Sequence, residues 1–121
     1  MKPAAVRVVL VDDSAELRDV VRSCLEREGI EVVAEAADSD GAIDVVRRVK
    51  PDVVVLDVGI PGEGADVVIE RIAAQRPAPR VVVFSGWPRA GLERLGVTVV
   101  TKSADPSVLV AEIRRQAEQT C

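Results

Sequence analysis

Three carboxylates, one hydroxyl and one ammonium stand at the ends of short valine-rich runs. Val6–Val11 delivers Asp12 and Asp13, and Asp52–Leu56 delivers Asp57. Arg80–Phe84 delivers Ser85 and Gly86, and Gly96–Thr101 delivers Lys102. Gathered into one pocket, the three acids would repel one another and call for a cation. Magnesium suits an oxygen-only site and keeps several of its waters. A carboxylate neutralised in this way can attack phosphorus. The ion and the lysine would then hold the phosphoryl oxygens as charge redistributes, with the serine hydroxyl bonding to the transferred group. Each residue alone also has a plain reading. Asp12-Asp13-Ser14 can cap a helix, Asp57 can end a strand, Ser85 can sit in a turn, and Lys102 can be solvated. Lys102 stands out because the chain has three lysines against 13 arginines.

The elements that must position these residues are legible as hydrophobic pattern. The four runs above are apolar without alternation, as in strands buried on both faces. Glu31–Ala36 is a weaker fifth strand, more like an edge. Between them lie helical repeats. Leu17, Val20, Val21, Cys24 and Leu25 recur at helical spacing, with Ser14 to cap the start and Gly29 to end it. Ala42, Ile43, Val46 and Val49 share a side before Lys50-Pro51 stops the helix. Val68, Ile69, Ile72 and Ala73 form the third stripe. The last begins at Asp105-Pro106, with Asp105 as its cap, and runs through Leu109, Ile113 and Ala117. Strands alternating with helices predict βαβ units and a parallel α/β sheet. In such sheets functional groups gather beyond the carboxyl ends of the strands. One unit is short. Gly86, Pro88 and Gly91 leave room for about two helical turns from Arg89 to Leu95.

Composition excludes several chemistries. The 121 residues suit one domain, spanning 1–121, with a net charge of −4. A phosphate-gripping nucleic-acid binder would be basic, so direct nucleic-acid binding is not expected. The absence of histidine removes Ser-His-Asp and Cys-His nucleophiles and imidazole zinc sites. Two aromatic residues, Phe84 and Trp87, are too few for a base-stacking surface. Cys24 reads as a small buried hydrophobe and Cys121 as a terminal thiol, with no disulfide framework. No apolar run reaches the roughly 20 residues of a membrane helix, and no secretory signal follows Lys2. A cytoplasmic chain without membrane contact is expected.

Asp12-Asp13, Asp57, Ser85-Gly86 and Lys102, with the Asp57-Val58-Gly59-Ile60-Pro61-Gly62 segment, resemble the signature of the receiver domain of two-component response regulators. The resemblance runs over essentially the whole chain. It implies a flavodoxin-like three-layer α/β sandwich, with five parallel strands in the order 2-1-3-4-5, five helices and a shortened fourth. It makes Asp57 the phosphoacceptor. Mg2+ would be bound by Asp13, Asp57 and the backbone carbonyl of Gly59, with Asp12 acting largely through water. Lys102 would clamp the phosphoryl group, beside Ser85 as the switch hydroxyl and Gly86. Gly59 and Trp87 would tune the phosphoryl lifetime, and Trp87 is expected to slow hydrolysis. The implied partners are a sensor histidine kinase or phosphotransfer protein, and an output domain or separate target. Such a chain phosphorylates and dephosphorylates itself but turns over no outside substrate.

Two departures stand out. Val99 replaces the aromatic residue that rotates inward on activation in the family, and Ser103 replaces the common proline after the lysine. The shortened fourth helix removes part of a face through which many receivers dimerise. Three other readings compete. A dehalogenase-like phosphatase shares the aspartyl chemistry but has an Asp-x-Asp first motif. A dinucleotide-binding module needs Gly-x-Gly-x-x-Gly after the first strand. A degenerate receiver would work by protein contact without phosphate.

Overall fold

The computed structural model describes residues 5–86, 92–103 and 105–118. The strands are β1 (Arg7–Val11), β2 (Glu31–Ala36), β3 (Val53–Leu56), β4 (Arg80–Ser85) and β5 (Thr98–Thr101). The helices are α1 (Ala15–Arg27), α2 (Ser39–Val49), α3 (Ala65–Ala73) and α4 (Pro106–Glu118). All four pairings are parallel, in the order β2-β1-β3-β4-β5. The expected order is therefore observed, and the weak run Glu31–Ala36 is an edge strand.

The alternation of side chains along each strand explains why valine runs suffice. Val9, Val11, Val54, Leu56, Val81 and Val83 face one way and join Ala42, Val45 and Val46 of α2 and Val68, Ile69 and Ile72 of α3. Their neighbours Val8, Leu10, Val53, Val55 and Val82 face the other way and join Leu25 of α1 and Leu109, Val110 and Ile113 of α4. Both faces of the central strands are thus covered, giving three layers.

Helix ends follow local chemistry. Ser14 Oγ accepts from Leu17 N at 3.2 Å, and Gly29, at φ 79°, follows the C-cap Glu28. Asp38 Oδ1 accepts from Gly41 N at 2.7 Å at the start of α2. Arg7 reaches across from β1 to bond the carbonyls of Val49 and Lys50 at 2.9 Å, closing the other end of α2. Asp105 Oδ1 accepts from Ser107 N at 2.9 Å, so the expected cap and N1 proline of α4 are present.

Four expectations change. Five helices were implied, the fourth shortened; the described residues hold four α-helices and, at the fourth-helix position, a 3-10 turn, Leu92–Leu95. Its expected start at Arg89, like Trp87, Lys2 and Cys121, lies outside the described residues. Val20 is 61% exposed, because α1 lies over the sheet on Leu25 and leaves that edge of its stripe facing outward. Ala73, in the last turn of α3, is also exposed, and Cys24 is half-buried rather than buried. No helix among the described residues is long and apolar enough to cross a membrane.

Leu25 is fully buried while Val20, on the same helix, is mostly exposed. Leu25→Ala is expected to cost about 2–5 kcal/mol and Val20→Ala no more than about 0.5 kcal/mol. Urea unfolding of both variants at equal m-value checks the contrast.

Candidate functional site

Strand register brings the polar residues together. Val11 pairs with Leu56, Leu56 with Val83, and Ser85 with Thr101. Asp12 after Val11, Asp57 after Leu56, Ser85 two residues past Val83 and Lys102 after Thr101 therefore emerge at the same edge of the sheet. Asp12 N donates to Ala36 O at 3.1 Å, Asp57 N to Val11 O at 2.9 Å and Lys102 N to Ser85 O at 2.8 Å. The ladder thus continues one residue past β1, β3 and β5 and fixes where Asp12, Asp57 and Lys102 leave it.

Asp12 and Asp57 are buried, at 7% and 9% exposure, and Asp13 is exposed. One carboxylate oxygen from each of the three lies within 4.8 Å of the others. Lys102 reaches in from the far side. Its Nζ donates to Asp12 Oδ2 at 2.8 Å and lies 3.4 Å from Asp57 Oδ2. The remaining carboxylate oxygens meet backbone. Asp12 Oδ1 accepts from Ser14 N at 2.9 Å, and Asp57 Oδ1 from Gly59 N at 3.2 Å. Ser85 is buried at the end of β4 and Gly86 beside it is exposed. The expected site residues Asp12, Asp13, Asp57 and Lys102 therefore converge. Gly59 joins them through its amide, and Ser85 through its carbonyl bond to Lys102. Trp87 lies outside the described residues. Val99 is half-buried and packs with the cluster that includes Leu92 and Val97.

Electrostatics shape the pocket. Three carboxylates against one ammonium leave a deficit of two positive charges. Oxygen donors grouped at this spacing match a hard divalent cation. Burial alone pushes the Lys102 ammonium down, but the hydrogen bond to Asp12 and the charges of Asp57 and Asp12 outweigh it. Its pKa accordingly lies above the ordinary 10.5. Lys102 Nζ stands over the Phe84 ring, 6.0 Å from its centre.

Sequence reasoning missed one supporting group. Arg18, on α1, donates to the carbonyl of Asp12 and, through Nε at 2.9 Å, to Glu35 on β2. Glu35 also takes Arg22. Arg18 stands four residues after the Ser14 cap, so its place on the polar side of α1 was readable. Its partner on β2 was not, because that contact exists only after β1 and β2 pair.

A family model described as "Response regulator receiver domain" matches residues 8–114. Among curated proteins, the chain is 38% identical over 110 residues to "Protein-glutamate methylesterase/protein-glutamine glutaminase 2" of Xanthomonas oryzae pv. oryzae, covering 88% of this chain and 31% of that protein. It is 44% identical over 81 residues to "Protein-glutamate methylesterase/protein-glutamine glutaminase 5" of Myxococcus xanthus, covering 66% of this chain and 23% of that one. The chain thus spans a third or less of these relatives. Among solved structures, a LuxR-family two-component response regulator from Aurantimonas sp. SI85-9A1 superposes with a TM-score of 0.86 at 34% identity, covering 94% of this chain and 86% of the other. The response regulator domain of Thermotoga maritima CheB gives 0.86 at 25% identity, with 97% and 99% covered.

A raised lysine pKa stabilises the fold below the unfolded value of about 10.5, and that contribution is lost as pH rises through the higher folded value. An NMR titration of the Lys102 side chain should show a midpoint above 10.5. Asp12→Asn, which removes the largest favourable partner, should move that midpoint down.

Proposed function

The chain belongs to the response regulator receiver domain family, and from that premise we propose that it accepts a phosphoryl group on Asp57 with the help of Mg2+. The observation that supports this is the convergence of three carboxylates with Lys102 at one end of a parallel sheet. The donor set fits a divalent cation, since it is all oxygen and carries two uncompensated charges. Asp12, Asp13, Asp57 and the Gly59 carbonyl would hold it, Asp12 largely through water. Bound Mg2+ supplies neutralisation of the acids and of the incoming phosphoryl oxygens.

The chain's own residues supply the remainder. Asp57 is held from both sides, by Gly59 N on one oxygen and by Lys102 on the other. One carboxylate oxygen of Asp57 forms the new bond to phosphorus. The phosphorus–nitrogen bond of a phosphohistidine donor breaks, and its electron pair stays on the imidazole. Lys102 turns from the carboxylates to the arriving phosphoryl oxygens, and the Ser85 hydroxyl bonds the transferred group, with Gly86 leaving room beside it. Phosphorylation adds charge and strong acceptors that bias a two-state surface. With Val99 in place of a rotating aromatic, that signal travels through Ser85 and the chain after it.

In this reading residues 1–121 form one receiver domain of a cytoplasmic two-component pathway. A sensor histidine kinase or phosphotransfer protein supplies the phosphoryl group, and an output domain or separate target reads it. The domain binds no nucleic acid itself and acts on no outside substrate. The methylesterase and glutaminase names describe the relatives.

Incubation with Mg2+ and acetyl phosphate should add one phosphoryl group by intact mass, and Asp57→Asn should gain none. Folded wild-type chain with neither adduct nor Mg2+ binding would instead favour a receiver that works by contact alone. Lifetime gives a second test. A Cβ at Gly59 would stand 3.8 Å from both Asp57 oxygens, in ordinary contact, so a longer side chain there would cover the phosphoryl group. Gly59→Arg is expected to lengthen the phosphoryl lifetime severalfold, and Trp87→Ala to shorten it, measured by decay of the mass adduct after donor removal.

A further inference from the structure

The loop from Asp57 to Gly64 carries Gly59 and leads into α3. It is fastened at a point distant in sequence. Ser39, the first residue of α2, is 2% exposed. Its backbone N–H donates to Pro61 O at 3.0 Å, and its Oγ accepts from Glu63 N at 2.9 Å. Gly62 lies between these two anchors at φ 108°. A Cβ on Gly62 would come within 2.0 Å of Ser39 Oγ and 3.0 Å of Ser39 Cβ. The loop backbone and the serine hydroxyl are therefore fitted directly against each other, and only glycine leaves the space.

Helix capping does not account for this hydroxyl. Asp38 already caps α2 through Gly41 N at 2.7 Å. Ser39 spends its free N–H and its side chain on the loop instead of on its own helix. The helix behind it is rigidly seated, because Ala42, Val45 and Val46 are buried against the sheet. Ile60 anchors the loop from within, 7% exposed in the same cluster. Between Ile60 and Asp57 the backbone has little freedom, with Gly59 N bonded back to Asp57 Oδ1.

From this clasp we infer that Ser39 is a positioning residue for the acidic site, holding the Gly59 backbone where its carbonyl can serve a divalent cation. The inference rests on the Mg2+-binding reading above and goes beyond it, by assigning a role to a residue outside the pocket on a different helix. Coupling of this kind is reciprocal. A rigid loop favours the ion, and the ion in turn tightens the clasp and the start of α2. Groups that orient a metal's immediate ligands commonly affect affinity by about tenfold or more.

The test compares the 121-residue wild-type chain, Ser39→Ala and Val46→Ala. Val46→Ala serves as a control because it weakens packing of the same helix and leaves the Ser39 hydroxyl and its bond to Glu63 N in place. Mg2+ affinity is measured by calorimetry, and exchange of the Glu63 amide by NMR. Ser39→Ala is expected to raise the Mg2+ Kd about fivefold, in line with loss of one partly buried hydrogen bond, while Val46→Ala stays within about twofold of wild type. In the unaltered chain, Mg2+ is expected to slow exchange of the Glu63 amide, a result that does not depend on any variant folding. Wild type that binds Mg2+ while Ser39→Ala binds it equally well overturns this inference alone. So does a Glu63 amide whose exchange ignores Mg2+. Wild type that takes up no Mg2+ overturns the underlying reading and this one with it.

Discussion

Mutual repulsion among Asp12, Asp13 and Asp57 is the constraint around which the rest of the molecule is arranged. Two of the three are largely withdrawn from water, where like charges are expensive and weakly screened. Lys102 offsets part of that cost, and it comes from the end of an edge strand while the acids come from β1 and β3. The balance holds only if β4 places β5 at the right distance and register. The Lys102 N to Ser85 O bond continues the β4–β5 ladder to the point where the lysine turns inward. A shift of one residue in that pairing would send Lys102 to the other face of the sheet.

The loops that carry the acids are held by contacts remote in sequence. Arg18 ties the Asp12 carbonyl to Glu35 on β2, and Ser39 ties the loop after Asp57 to α2. Both contacts run from a helix start or a helix face to a loop that follows a strand. A ligand arriving at the acids would therefore act on α1 and α2 as well as on its immediate surroundings. The 3-10 turn at Leu92–Leu95 and the half-buried Val99 give the opposite side a leaner construction. Valine fills its place with few rotamers and has no ring to swing.

The main elements were legible because each depends on local periodicity. The valine runs marked all five strands to within two residues, and Ser14, Gly29, Asp105 and Pro106 marked helix ends, because caps act within a single turn. The site residues were legible for a related reason: in a parallel α/β sheet the carboxyl ends of strands fall on one edge, so acids following apolar runs are candidates to meet. The reading failed where burial depends on how a helix is rolled. Val20 and Ala73 belong to apolar stripes yet face outward, and Cys24 is only half covered.

By itself, then, the sequence determined that this is a parallel α/β domain with acids, a hydroxyl and a lysine at strand ends, since those properties follow from residue order and short-range geometry. Tertiary structure alone decided which carboxylate oxygen Lys102 would hold, which carbonyl Arg18 would support, and that Ser39 would close on Gly62 and Glu63. Those contacts span between 6 and 90 positions in the chain. They depend on distances of a few tenths of an ångström, which are set only when both faces of the sheet are packed.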